Sequence, residues 1–314
     1  MANDFYTPDQ VAKVAVAMAV EDSYLGALVS RNFADDLLGG GGKGRTVNVK
    51  VPAALIARTR GIDDVTTNII LDQLAETTVP VTLGEHAYNA VGLSEGEMNL
   101  DLTSFAEQVL SPQVAAVVDY IEELVADALK AITLDTSIGW DAANPVPTFT
   151  AIRAHLRKNG VPQTGLNVVV GTNVYAALLD ANAITDASAS GSTEALREGN
   201  VGKIRGFNIA ESTRVGDDEI IAFHKDAFTL AVRAPQVPVG QWGQSVSAGG
   251  YSLRYLRDYD VTKTLTRSMV STFVGVAELP LYKVERDYTA NTATVSEVAG
   301  GATFRMSIGD VEPV

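Results

Sequence analysis

The run Gly39 to Thr46 reads Gly-Gly-Gly-Gly-Lys-Gly-Arg-Thr and is the first candidate for chemistry in this chain. It fits Gly-x-Gly-x-x-Gly spacing and nearly fits a phosphate-binding loop, with Arg45 standing where that loop needs lysine. Both patterns require a strand before and a helix after, so that helix N-terminal amides meet the phosphate. Here a helical stretch precedes and an alternating, strand-like run follows. The context is inverted, and the four glycines read as a hinge. A nucleotide-binding enzyme using Gly39–Thr46 is kept as a remote alternative.

The other reactive residue types are scattered. His86, His155 and His224 lie far apart, and none has a carboxylate or histidine at ligand spacing on a helix. The chain has no cysteine, so thiol nucleophiles and thiolate metal sites are excluded. No Gly-x-Ser-x-Gly elbow occurs. Glu122-Glu123 and Asp217-Asp218 are adjacent pairs, and sequence neighbours on a helix do not face one another. No catalytic constellation, cofactor site or metal site is expected, and the chain reads as a non-enzyme.

Composition narrows the class. Hydrophobic residues are 46% and charged residues 20% of 314, which describes a folded chain with a sizeable core. No apolar run reaches a membrane span. Asp4 and Asp9 precede the apolar segment Val11 to Val20, so no signal-peptide n-region is present and a secreted adhesin is disfavoured. The formal net charge of −14 argues against tight, specific DNA binding, whose affinity comes from neutralising phosphates. The charge is uneven. Lys43, Arg45, Lys50, Arg58 and Arg60 form a stretch without acids, and Gly61 to Asp135 holds fourteen acids and one base, Lys130. That switch suggests complementarity between subunits.

The elements that would carry these residues come in a definite order. Residues 1–42 form an arm, with Thr7, Pro8 and Gln10 starting a helix and a second helical stretch over Tyr24 to Leu38. Residues 43–86 form a long hairpin: Thr46 to Val51 alternates with period two, and Thr77 to Leu83 is an edge-like strand containing Pro80. A hairpin of this kind buries little on its own and needs a neighbour. Ser104 with Glu107, then Ser111-Pro112, start a helix with Val114, Val117, Val118, Ile121, Leu124, Val125 and Leu129 at helical spacing. It is a spine of roughly 30 Å at 1.5 Å per residue.

An α/β rhythm follows, with helices over Phe149 to Asn159 and from Thr172, and strands at Asn167–Val170, Ile204–Ile209, Glu219–Phe223 and Phe228–Val232. Ala187 to Gly202 and Pro235 to Gly250 read as loops. Long strands are expected at Tyr251–Asp258 and Ser268–Val276, then Leu281–Glu285, with a hairpin or clasp after Asp287.

This order, on an α+β chain, resembles the Hong Kong 97-type phage capsid fold. Gly44 to Pro52 looks like the rising strand of that family's extended loop. Leu156 to Pro162, followed by Asn167 to Gly171, looks like the opening of its axial domain. Val201 to Ile209, Ala222 to Phe228, Arg257 to Asp260 and Phe273 to Val276 are similar to later strands. The nearest group is that of the coat protein of short-tailed Salmonella phages, without its large inserted domain. The resemblance implies an arm (1–42), an extended loop (43–86), a peripheral domain with the spine helix (87–148 and 251–286), an axial domain (149–250) and a C-terminal extension (287–314).

It further implies a major capsid protein of a tailed bacteriophage. Such a subunit self-assembles into hexamers and pentamers of an icosahedral shell around double-stranded DNA. It is assembled in the host cytoplasm and resident in the virion. A separate scaffolding protein, a portal and a decoration protein are implied partners; a membrane is not. An encapsulin-type nanocompartment is the alternative. Lys43 and Lys50 are candidate crosslink donors, but no motif marks an acceptor. The expected inter-subunit contacts set Lys43, Arg45, Lys50, Arg58 and Arg60 against Glu95, Glu97, Asp119, Glu122, Glu123 and Asp127 of a neighbour.

Overall fold

A computed structural model describes residues 8–31, 45–51, 55–59, 61–63, 65–66, 68–71, 77–97, 105–181, 202–288, 292–298 and 300–309. Along the chain run α1 (Pro8–Asp22), the single turn α2 (Leu25–Leu28), β1 (Thr46–Val51), β2 (Thr77–Thr82) and β3 (Glu85–Ser94). A π-helical turn at Ala106–Leu110 leads into α3 (Ser111–Lys130). Then come α4 (Val146–Lys158), β4 (Leu166–Val170), α5 (Thr172–Asp180), β5 (Lys203–Ile204), β6 (Phe207–Glu211), β7 (Glu219–His224) and β8 (Phe228–Arg233). The last strands are β9 (Trp242–Ala248), β10 (Tyr251–Asp260), β11 (Leu265–Glu278), β12 (Leu281–Asp287), β13 (Thr292–Val298) and β14 (Thr303–Ser307).

Two compact units divide the described residues. The first takes those within Met1–Val47, Val81–Leu129 and Phe228–Glu278. Its sheet has the order β3-β11-β10-β9, and β8 pairs the far end of β11. The expected apolar stripe of α3 is the buried one: Val114, Val117, Val118, Ile121, Val125 and Leu129 are all within the core. Each such side chain contributes roughly 1.5–3 kcal/mol. The second helix start at Ser111-Pro112 is a π turn and not a break. Ser111 donates its N–H to the Ala106 carbonyl, the i+5 pattern, and Pro112 has no N–H with which to continue the α ladder to Gln108.

Two segments differ from expectation here. α2 ends at Leu28, because Ser30 leaves the helix to pair backbone with β8: its N–H donates to Phe228 O at 3.1 Å and its carbonyl accepts Leu230 N–H at 2.9 Å; residues 32–38 of the expected helix lie outside the described residues. Residues 228–250, expected with the α/β segment, belong to this sheet, and the supposed loop Pro235–Gly250 contains β9. Gly249 and Gly250 both hold positive φ (60 and 83), the two-residue turn that joins β9 to β10.

The second unit takes the described residues within Asn48–Pro80, Lys130–Ala227 and Leu279–Val314. Its five-stranded sheet runs β14-β7-β4-β6-β5, with β4 and β6 parallel and the other pairs antiparallel. β4 is buried along its whole length, as its unbroken Leu-Asn-Val-Val-Val run requires. Thr172, expected as the cap of α5, is its first residue; Gly171 is the cap, and the Thr172 hydroxyl donates to Asp217 Oδ1 at 2.8 Å. The segment after Asp287 is split. β13 makes a hairpin with β12, and β14 joins the α/β sheet beside β7.

Candidate assembly interface

The glycine run lies outside the described residues except at its end, where Arg45 and Thr46 are placed. Thr46 opens β1, so a strand and not a phosphate-binding helix follows it. The histidines stay apart. His86 packs at a tilt against Phe273 with ring centroids 5.0 Å apart, and His155 likewise against Phe304 at 5.3 Å. His224 is buried; its Nδ1 accepts Asp226 N–H at 3.2 Å, which leaves Nε2–H to donate to the Thr164 carbonyl at 2.9 Å. Asp218 accepts the Asn173 side-chain amide at 2.9 Å, so the Asp217-Asp218 pair is tied to the start of α5. No group of three metal-ligating side chains occurs among the described residues.

The expected contact residues fare unequally. The hairpin is real: β1 pairs β2, Leu83 N–H donates to the Arg45 carbonyl at 2.7 Å, and the Thr46 and Thr82 hydroxyls stand 3.4 Å apart. Arg45 is exposed and Arg58 half-buried. Lys43, Arg60 and the side chain of Lys50 lie outside the described residues. Among the acids, Asp119 and Asp127 are exposed on α3 and Glu123 is half-buried. Glu95 accepts the Tyr259 hydroxyl, which holds that phenol above its ordinary pKa. Glu97 closes a capping box with Ser94, accepting its N–H and its hydroxyl, both at 2.8 Å. These bonds hold its carboxyl below the ordinary range. The signature Ser-x-x-Glu was readable at Ser94-Glu97.

Glu122 requires a correction. It was expected to face a neighbour, but it is 4% exposed and satisfied within its own chain. Backbone N–H groups of Tyr24, Leu25 and Gly26 donate to its carboxylate. The charge run Glu122-Glu123 hid this, because burial of one of two adjacent glutamates depends on which face of α3 meets the arm.

What the sequence reading missed is the apolar character of the hairpin's far region. Ile62, Val65 and Leu71 are 102%, 92% and 87% exposed, and Ile69 and Ile70 are exposed beside them. The run Ile69-Ile70-Leu71 inside a polar loop was the available signal. The first unit also holds a groove of about 1360 Å³. Val14, Phe105, Leu110, Trp242 and Tyr259 line it, and Arg257 sits 5.9 Å from the ring centres of both Phe105 and Trp242. Exposed apolar surface of this kind marks interaction sites.

No protein-family model and no curated protein matches the chain. Solved structures do. A chain from Mycobacterium phage Che8 superposes with TM-score 0.58 at 18% identity, over 82% of this chain and 87% of that one. A chain from the capsid of Cyanophage P-SCSP1u gives 0.54 at 10% identity, over 87% and 85%. A virus-like particle from Pyrococcus furiosus gives 0.50 at 12% identity, over 95% and 98%. The chain has the Hong Kong 97-type capsid fold. At these identities the likeness is one of fold.

Proposed function

We propose that this chain is the major capsid protein of a tailed bacteriophage, assembling into hexamers and pentamers of an icosahedral shell around double-stranded DNA. The observation that carries the reading is the capsid fold over nearly the full length of both chains compared. The exposed aliphatic side chains of residues 62–71 support it, because a lone subunit leaves them in water. Location in the virion and assembly in the host cytoplasm follow from the same reading. So do a separate scaffolding protein, a portal and a decoration protein as partners. Kinship with the coat proteins of short-tailed Salmonella phages rests on the sequence motifs alone. The nanocompartment alternative is not favoured, since the chains of Che8 and Cyanophage P-SCSP1u come from phages.

In this reading the basic hairpin segment Lys43 to Arg60 meets the spine helix of a neighbour. The acids of the spine helix that this reading sets against it are Asp119 and Asp127, which are exposed, and Glu123, which is half-buried. Exposed ion pairs of this sort contribute ~0.2–1 kcal/mol each. They set register while leaving wrong contacts reversible. Expression followed by negative-stain microscopy tests the function: closed shells, or rings of five and six, are expected, and a protein that forms neither, alone or co-expressed with the scaffolding protein of its own genome, refutes it. Charge reversal at Arg45 and Lys50 is expected to lower shell yield without unfolding the subunit.

A further inference from the structure

We infer that residues 8–31 form a strap whose docking register is keyed by the carboxylate of Glu122. The strap begins with α1, which packs on β9 and β10 through Val11, Ala12, Ala15, Val16 and Ala19. That inner face is small-sided and repetitive. Apolar burial is non-directional, so by itself it discriminates weakly between registers one helical turn apart.

Ser30 pairs backbone with β8 near the end of the strap, and Glu122 supplies the discrimination at Ser23 to Gly26. Its Oε1 accepts the N–H of Tyr24 at 3.2 Å and of Gly26 at 3.0 Å, and its Oε2 accepts the N–H of Leu25 at 2.6 Å. The Ser23 hydroxyl donates to Oε1 at 3.3 Å and stands 2.5 Å from the Tyr251 hydroxyl, which donates to it in turn. The cup has no spare room: a Cβ at Gly26 would fall on the Tyr251 hydroxyl and lie 3.0 Å from both Glu122 Oε1 and Ser23 Oγ. The Arg31 guanidinium then lies 5.4 Å over the Tyr251 ring, beyond the cup.

Among the described residues the carboxylate's partners are these four groups of the strap. A buried carboxylate is costly unless its lone pairs are satisfied. A strap shifted by one turn would leave Glu122 covered and unsatisfied, so that state is disfavoured. A fully open strap lets water solvate it. Closure is therefore confined to one register. Glu122 is a positioning residue for the cover that the strap makes over β9 and β10. This inference rests on the geometry of one subunit and does not depend on the shell reading.

The experiment is native-state amide exchange by mass spectrometry on the full chain, comparing wild type, Glu122→Gln and Gly26→Ala. Glutamine keeps the size but removes the charge and turns an NH2 donor toward N–H donors. Loss of charge-assisted bonds predicts roughly 10- to 100-fold faster exchange over residues 8–31 in Glu122→Gln. Amides of β10 and β11 should keep their protection. Gly26→Ala should reach the same state from the strap's side, by crowding the Tyr251 hydroxyl and the Glu122 carboxylate. Unchanged strap exchange in either variant overturns the key. Equal loss of protection in the strap and in β10–β11 overturns the separable strap.

Discussion

Gln113 and Ser268 exchange two hydrogen bonds across the helix–sheet interface: the Ser268 hydroxyl donates to Gln113 Oε1 at 2.7 Å, and Gln113 Nε2 donates to the Ser268 carbonyl at 2.9 Å. Both residues are at most 1% exposed, so water cannot replace either bond. Nε2 also reaches the Asn89 carbonyl at 3.4 Å, which ties α3 to β3 as well as β11. A polar residue on the apolar stripe of the spine thus fixes where the helix sits along the sheet.

Gln113→Leu is expected to lower unfolding free energy by about 1–3 kcal/mol, because it strands the Ser268 hydroxyl and carbonyl in the core. A urea midpoint measured at unchanged m-value checks this. Adding Ser268→Ala should restore part of the loss by removing one stranded group.

Arg305 on β14 pairs with Glu219 on β7, with side chains 16% and 15% exposed. Its guanidinium also donates to the carbonyls of Lys130 and Ile132, the latter at 3.2 Å. Arg305→Met is expected to cost roughly 3–5 kcal/mol, since it leaves a mostly buried carboxylate unpaired. The double variant with Glu219→Met should cost less than the single one, and a double-mutant cycle measures the difference.

Gly171 sits where a Cβ would run into the backbone carbonyls of Gly216 and Asp217. Backbone does not yield as a side-chain tip does. Gly171→Ala is expected to destabilise the second unit by about 1–3 kcal/mol through overpacking. Thermal denaturation followed by circular dichroism reads it, and an unaltered midpoint contradicts the close approach.

His86 is exposed at the start of β3, and partial desolvation, with the Arg254 guanidinium second, holds its imidazole below its ordinary value of 6.5. The unfolded chain therefore takes up this proton first as pH falls. His86 contributes full stability above about 6.5 and loses it as pH drops from there toward the folded value. An NMR titration should place the His86 midpoint below 6.5, and Arg254→Gln should raise it part of the way.

Much of this architecture was legible because it repeats. The valine and isoleucine spacing of α3 and the alternation of Thr46 to Val51 each follow from one element seeking one apolar face. β9 was missed because Gln, Ser and Gly dominate residues 240–250, and the Gly249-Gly250 turn was read as loop composition. Glu122 was misassigned for a different reason. Local pattern says that a glutamate on a helix faces solvent, and only the arrival of Ser23 to Gly26 from far away in the chain makes a buried site for it. The capping box at Ser94-Glu97 was plain in the sequence and overlooked in favour of its charge. The exposed Ile69-Ile70-Leu71 run marks the opposite case, a local anomaly that one subunit cannot explain by folding.

The place of β14 beside β7 has a consequence for timing on the ribosome. β7 is synthesised long before Thr303 to Ser307, and until they emerge it is an open edge in an otherwise formed sheet. Phe304 and Met306, both buried, then seal that edge. An unpaired edge is a template for another chain, so a nascent or prematurely released product is the species most exposed to wrong pairing. Completion of the sheet by a late strand makes synthesis of the whole second unit the condition for a subunit with that edge closed.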